Sequence, residues 1–173
     1  MVKVIGENVR YWIALRSTGA INTFTGAIAS IGAVASSPER GFNPVPESPV
    51  NTIDFHGLQD GVIPMGPNAP DNLGPGPDDT TENSDGFYYH NKEGHLKKVM
   101  SSMNCEEAST EYPTHMDGLE GWTCERWGGC DGGHEVVFCK GDQGHDYPFW
   151  PDYVEGLKIM WDFMKNHPKN SFL

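Results

Sequence analysis

The sequence predicts an α/β domain built on a mainly parallel sheet with flanking helices. Three stretches predict it. The run Phe24 to Ser36 consists of Ala, Ile, Val and Gly, interrupted by Thr25 and Ser30, a composition that suits a strand buried on both faces. In Val50 to Pro64, Ile53 and Phe55 alternate with polar neighbours before Gly57, Gly61 and Pro64 close the segment. This pattern reads as a strand followed by a tight loop. It sets Asp60 just past the C-terminal end of a core strand, where open α/β sheets place their chemistry. Tyr153 to His167 is an amphipathic helix whose apolar stripe is Val154, Leu157, Trp161 and Met164, widened by Met160 and Phe163 and ended by Pro168.

A chain of 173 residues is one domain by length, spanning 1–173, and short for a complete doubly wound α/β domain. A formal charge of −12 would repel nucleic acid and anionic membranes, so neither is expected as a partner. No apolar run reaches the length of a membrane span. No cofactor is implied.

From the N-terminus, Asn8 to Ser17 reads as a helix with Val9, Trp12, Ile13 and Leu15 on one side and Gly19 as its C-cap. After the buried run comes a loop, 37–48, that leads into the strand before Asp60. Residues 65–92 have no periodicity over most of their length and are rich in Pro, Gly and Asp; they read as a lid-like or mobile loop within the domain. A short helix from Glu93 to Met103 restores order. Trp122 to Trp127 and Glu135 to Phe138 then read as strands joined through Gly128-Gly129 and Gly132-Gly133, a hairpin or close antiparallel pair. The second of these leads to Gly144-His145-Asp146-Tyr147-Pro148, a histidine on a loop after an apolar strand.

Four cysteines, Cys105, Cys124, Cys130 and Cys139, fall within 35 residues, with 18, 5 and 8 residues between them. No CxxC knuckle is present, so the set reads as two disulfides rather than a zinc site. Of three possible connectivities, Cys105–Cys130 and Cys124–Cys139 are expected. The second joins the two strands of the hairpin, and the first ties the preceding helix to the hairpin turn. Disulfides imply an extracellular protein. Met1 to Glu7 has no signal-peptide core, so the expectation is that the true N-terminus lies upstream of Met1 and that the chain is truncated.

The blocks His56-Gly57-x-x-Asp60-x-x-Ile63-Pro64, Cys130-Asp-Gly-Gly-x-Glu135-Val136-Val137 leading into Gly144-His145-x-x-Pro148, and Ile159-Met160-Trp161-Asp162-Phe163 together resemble the C-terminal half of one family. It is the group of secreted α/β-hydrolases that contains the polyhydroxybutyrate depolymerases, feruloyl esterases and acetylxylan esterases. The resemblance implies a partial α/β-hydrolase fold that lacks the N-terminal strands and the nucleophile elbow. It assigns Asp60 as the acid and His145 as the histidine of a catalytic triad, matching the nucleophile, acid, histidine chain order. The elbow serine of Gly-x-Ser-x-Gly would fall at Val4, in Val2-Lys3-Val4-Ile5-Gly6. Ser30 lies inside the buried run rather than on a strand-to-helix turn and is a poor substitute. His56 reads either as a buried, hydrogen-bonded residue or as a substrate contact, and Trp150 either lines the substrate groove or anchors its loop. The other histidines, His90, His95, His115, His134 and His167, show no ligand spacing, and no metal site is expected.

The implied chemistry is acyl transfer on an ester of a hydroxy acid polymer or of a plant or algal polysaccharide. Serine attacks the carbonyl, His145 moves the proton, and Asp60 holds the imidazole tautomer. Without a hydroxyl at position 4 the chain is expected to be inactive alone. The alternative is a non-catalytic secreted binding or matrix protein derived from such an esterase. The run Phe24 to Ser36, short of neighbouring strands, is expected to leave an open sheet edge through which the chain self-associates.

Overall fold

The computed structural model describes residues 27–31, 49–60, 65, 74–75, 80–82, 88–113, 121–144, 162–163 and 165–167. Its frame is a five-stranded sheet of β1 (Ala27–Ile31), β2 (Asn51–Gly57), β6 (Thr110–Glu111), β7 (Trp122–Trp127) and β8 (Val136–Gly141), in the order β1-β2-β8-β7-β6. A smaller antiparallel sheet joins β3 (Gly74–Pro75), β4 (Thr80–Glu82) and β5 (Tyr88–His90) within the 65–92 segment.

Strand β2 is buried at all seven positions, as a strand covered on both faces must be. It pairs in parallel with β1, Ser30 opposite Asp54, and with β8, Thr52 opposite Val136 and Asp54 opposite Phe138. Alternation along the strands then sorts the sheet into two faces. One carries Thr52, Asp54, Val136 and Phe138; the other carries Ile53, Phe55, Val137 and Cys139, with the Trp122 ring edge-on to Phe55 at 5.8 Å between centroids.

Helix α1 (Lys92–Ser102) covers the first face. Its buried positions are Lys92, His95, Leu96 and Val99, followed by Met103 at the C-cap, a helical stripe by spacing. Leu96, Val99 and Met103 pack with Trp127, Cys130, Val136 and Phe138 in one core cluster. The helix starts at Asn91, whose side chain accepts the Gly94 N–H at 2.8 Å and satisfies one of the open donors of the first turn.

The expectation of a mainly parallel sheet with flanking helices, a partial α/β-hydrolase fold, is overturned. Two strand pairs are parallel and four are antiparallel, and α1 is the one complete α-helix among the described residues. The physical reason lies in connection length. A parallel return needs a crossover of a dozen or more residues, whereas fewer than a dozen separate β3 from β4, β4 from β5 and β6 from β7, as they do β7 from β8 in the expected hairpin, whose Gly-rich link 128–135 has Gly129 and Gly132 at φ of 63° and 73°. Those values are readily open to glycine, and the chain turns straight back as an antiparallel neighbour.

The hairpin itself forms as expected, and so do both disulfides. Cys124 and Cys139 are direct register partners on β7 and β8, and Cys105–Cys130 ties the segment after α1 to the hairpin link. Backbone bonds close the same junction: the Asp131 N–H donates to Met103 O at 2.8 Å and the Glu106 N–H to Gly128 O at 3.0 Å. Two disulfides fit an extracellular protein. The helix expected over 8–17 lies outside the described residues. Of the C-terminal helix, the described residues 162, 163, 165 and 166 are helical.

Candidate functional site around Asp60

The loops that leave β2 and β8 emerge at the same edge because the two strands are parallel neighbours. They are stitched together there. The Leu58 N–H donates to Gly141 O and the Gln59 N–H to Gln143 O, each at 2.8 Å, while Gln59 Nε2 reaches Asp142 Oδ1 at 3.0 Å. Gly57 is required by this approach: a Cβ there would run into the carbonyl oxygens of Gln143 and Gly144. Asp60 follows in a tight turn, its N–H donating to Gly57 O at 3.2 Å, and its residue surface is 2% exposed. Asp60 and Gly144, the residue before His145, therefore sit on two loops that are hydrogen-bonded to each other.

His145, Trp150 and Val4 lie outside the described residues. His56, at the end of β2, is 1% exposed and places Nε2 3.8 Å from Asp60 Oδ2. Ser30 occupies a register position inside β1 opposite Asp54.

Beneath this edge is a buried polar group that the sequence reading did not single out. Lys92, fully buried at the first position of α1, forms an ion pair with Asp54 of β2 and lies over the Phe138 ring, 5.8 Å from its centroid. One turn on, His95 is buried, and its pKa is held well below the usual 6.5, first by loss of solvation and then by the positive charges of Lys92 and Lys98 and by His90. Lys98 Nζ in turn lies 2.9 Å from His90 Nε2. The signal that could have revealed this group is the spacing Lys92, His95, Leu96, Val99. It is a core stripe once Lys and His are admitted to it, and hydropathy excludes both.

Chemically, a buried carboxylate on a tight turn is an acceptor that can hold an imidazole in one tautomer and favour its charged form. The Lys92–Asp54 pair neutralises charge inside the fold. Among the described residues no group of three or more His, Cys, Asp or Glu side chains is arranged to hold a metal ion, and no helix is long and apolar enough to cross a membrane. No family model matches the chain, and no curated protein sequence matches it significantly.

Proposed function

We propose that this chain is a carboxylic ester hydrolase-like protein, related to the secreted polyhydroxybutyrate depolymerase, feruloyl esterase and acetylxylan esterase group. In this reading Asp60 and His145 form the acid and histidine of an acyl-transfer site. The observation that carries the proposal is the pair of stitched loops: the residue before His145 and the residue before Asp60 belong to segments joined by two backbone hydrogen bonds of 2.8 Å. The substrate class that goes with the resemblance is an ester of a hydroxy acid polymer or of a plant or algal polysaccharide.

In the reaction, Asp60 would accept the imidazole N–H, fix the tautomer and stabilise the imidazolium, and His145 would take the proton from a serine hydroxyl and return it to the leaving alcohol. Valine at position 4 supplies no hydroxyl. Because triad members act as a unit, the chain by itself is expected not to hydrolyse p-nitrophenyl acetate above background and to form no adduct with a serine-directed phosphonate. An adduct on any serine would show that the nucleophile lies elsewhere in the chain.

The direct test is the titration of His145 followed by NMR in the full chain and in Asp60→Asn. A carboxylate beside the imidazole raises its pKa, so the substitution should lower it. An unchanged titration rules out the pairing. It would leave a second reading, a secreted non-catalytic binding or matrix protein, which valine at position 4 and the 3.8 Å approach of His56 to Asp60 favour. Among the described residues β1 is the outermost strand next to β2, and an uncovered strand edge is a template for pairing with another copy. Self-association through it is expected to show as a concentration-dependent shift in size-exclusion elution; a monomer at all concentrations contradicts it.

A further inference from the structure

At the opposite end of β8, the backbone of Glu135 is locked into the sheet. Its N–H donates to Asn51 Oδ1 at 2.9 Å and its carbonyl accepts the Thr52 N–H at 3.0 Å. Its side chain reaches the C-terminal helical segment: Oε1 lies 3.1 Å from His167 Nε2. The other ring nitrogen of His167, Nδ1, lies 2.8 Å from the carbonyl of Phe163 one turn earlier, and the His167 ring stacks at a tilt on Phe163, 4.3 Å between centroids. Phe163 is buried.

Both partners of the imidazole are acceptors. A neutral imidazole has one N–H and satisfies one of them; the imidazolium has two and satisfies both. We propose that the Glu135–His167 contact is a pH-sensitive clasp that holds the C-terminal helical segment to the start of β8, closed while the imidazole carries its second proton and loosened when that proton leaves.

The surroundings fit this role. On the sheet side, Arg126 of β7 places NH1 3.8 Å from Glu135 Oε2, a weaker and more exposed partner that leaves Oε1 to the histidine. His134, next to Glu135, feels the charge on His167, and the phenol of Tyr112 feels Glu135. On the helical segment itself the neighbouring charges, Asp162 and Lys165, pair with each other at 2.5 Å. The hydrogen bond that His167 donates to Glu135 lifts its pKa above 6.5 against the opposing effect of burial, with the Phe163 carbonyl and the Glu135 charge adding to the rise. His134 is shifted down, by burial first and then by His167. The sign follows. A histidine raised in the folded state contributes its full stabilisation below 6.5 and loses it as pH rises through the folded value. In acid, protonation of His134 sets a second positive charge beside the first, so the clasp is tightest between the two titrations.

The test is an NMR titration of the His167 ring in the full chain, with amide hydrogen exchange at residues 165–167. The ring is expected to titrate above 6.5, and Glu135→Gln to move it down. After correction for intrinsic exchange, protection at 165–167 should fall by up to about fivefold as the ring deprotonates, the range for a partly exposed ion pair. His167 titrating at or below 6.5 in the unsubstituted chain overturns the proposal without any variant. A raised value that Glu135→Gln leaves in place, with far-UV circular dichroism showing the fold intact, overturns the assignment to Glu135. The readout is independent of Asp60 and His145.

Discussion

On one side of β8 the sheet is local and covalent, with β7 only a short link away and Cys124 bonded to its register partner Cys139, 15 residues on. On the other side β2 is more than 80 residues distant in sequence, as the bonds from Glu135 to Asn51 and from Gln59 to Asp142 show, and no disulfide crosses the seam. That side is bridged instead by α1, whose apolar stripe packs on β7 and β8 while its Lys92 pairs with the buried Asp54 of β2. The two halves are therefore vulnerable in different ways. Cross-links act chiefly on the unfolded chain, while a buried ion pair must keep both members in the folded one.

The largest effect is expected from Lys92→Met. It leaves the Asp54 carboxylate buried without its cation, and a loss of about 3–5 kcal/mol is expected in urea unfolding. Combining it with Asp54→Leu should restore much of that loss, since replacing both members of such a pair by apolar groups is often neutral or better. A double variant as unstable as Lys92→Met alone would show that the pair is not the seam between β2 and α1.

Removing the other kind of tie, with Cys124→Ala and Cys139→Ala together, is expected to cost about 3 kcal/mol for a closed loop of this size. If the half bridged by α1 is held independently, its amides should keep their exchange protection in that variant under conditions that favour folding.

A smaller effect follows from His95. Its folded pKa is lowered, so the folded state holds it neutral while the unfolded chain protonates near 6.5. Its contribution is complete above that pH and is lost as pH falls below it, with a limiting slope of about 1.4 kcal/mol per pH unit for one proton. His95→Gln should flatten the acid limb of the stability curve. An unchanged limb would show that burial, with the charges of Lys92 and Lys98 beside it, does not hold that ring neutral in the folded state.

The least effect is expected at the surface of the disulfide-linked side, where Lys140 pairs with Glu125 at 3.0 Å, each side chain about a third exposed. Lys140→Ala should change stability by less than about 1 kcal/mol. A larger loss would mean that the antiparallel half depends on charge as much as the parallel half does.

Much of the framework was legible in the residues. Ile53 and Phe55 marked β2, the glycines after Trp127 marked the turn, and the distribution of four cysteines led to both pairings, because each of these signals is local or limited to a few combinations. The position of Asp60 on a tight turn after β2 was legible for the same reason. What tertiary structure alone decided is which strands meet. Strand direction depends on how the chain returns, so β6 joined β7 antiparallel and the 65–92 segment closed an antiparallel sheet of its own where a mainly parallel sheet had been expected. Burial of Lys92, Asp54 and His95, and the meeting of Glu135 with His167, depend on partners far apart in the chain. Their polarity reads as surface until the fold supplies the opposing charge that makes burial tolerable.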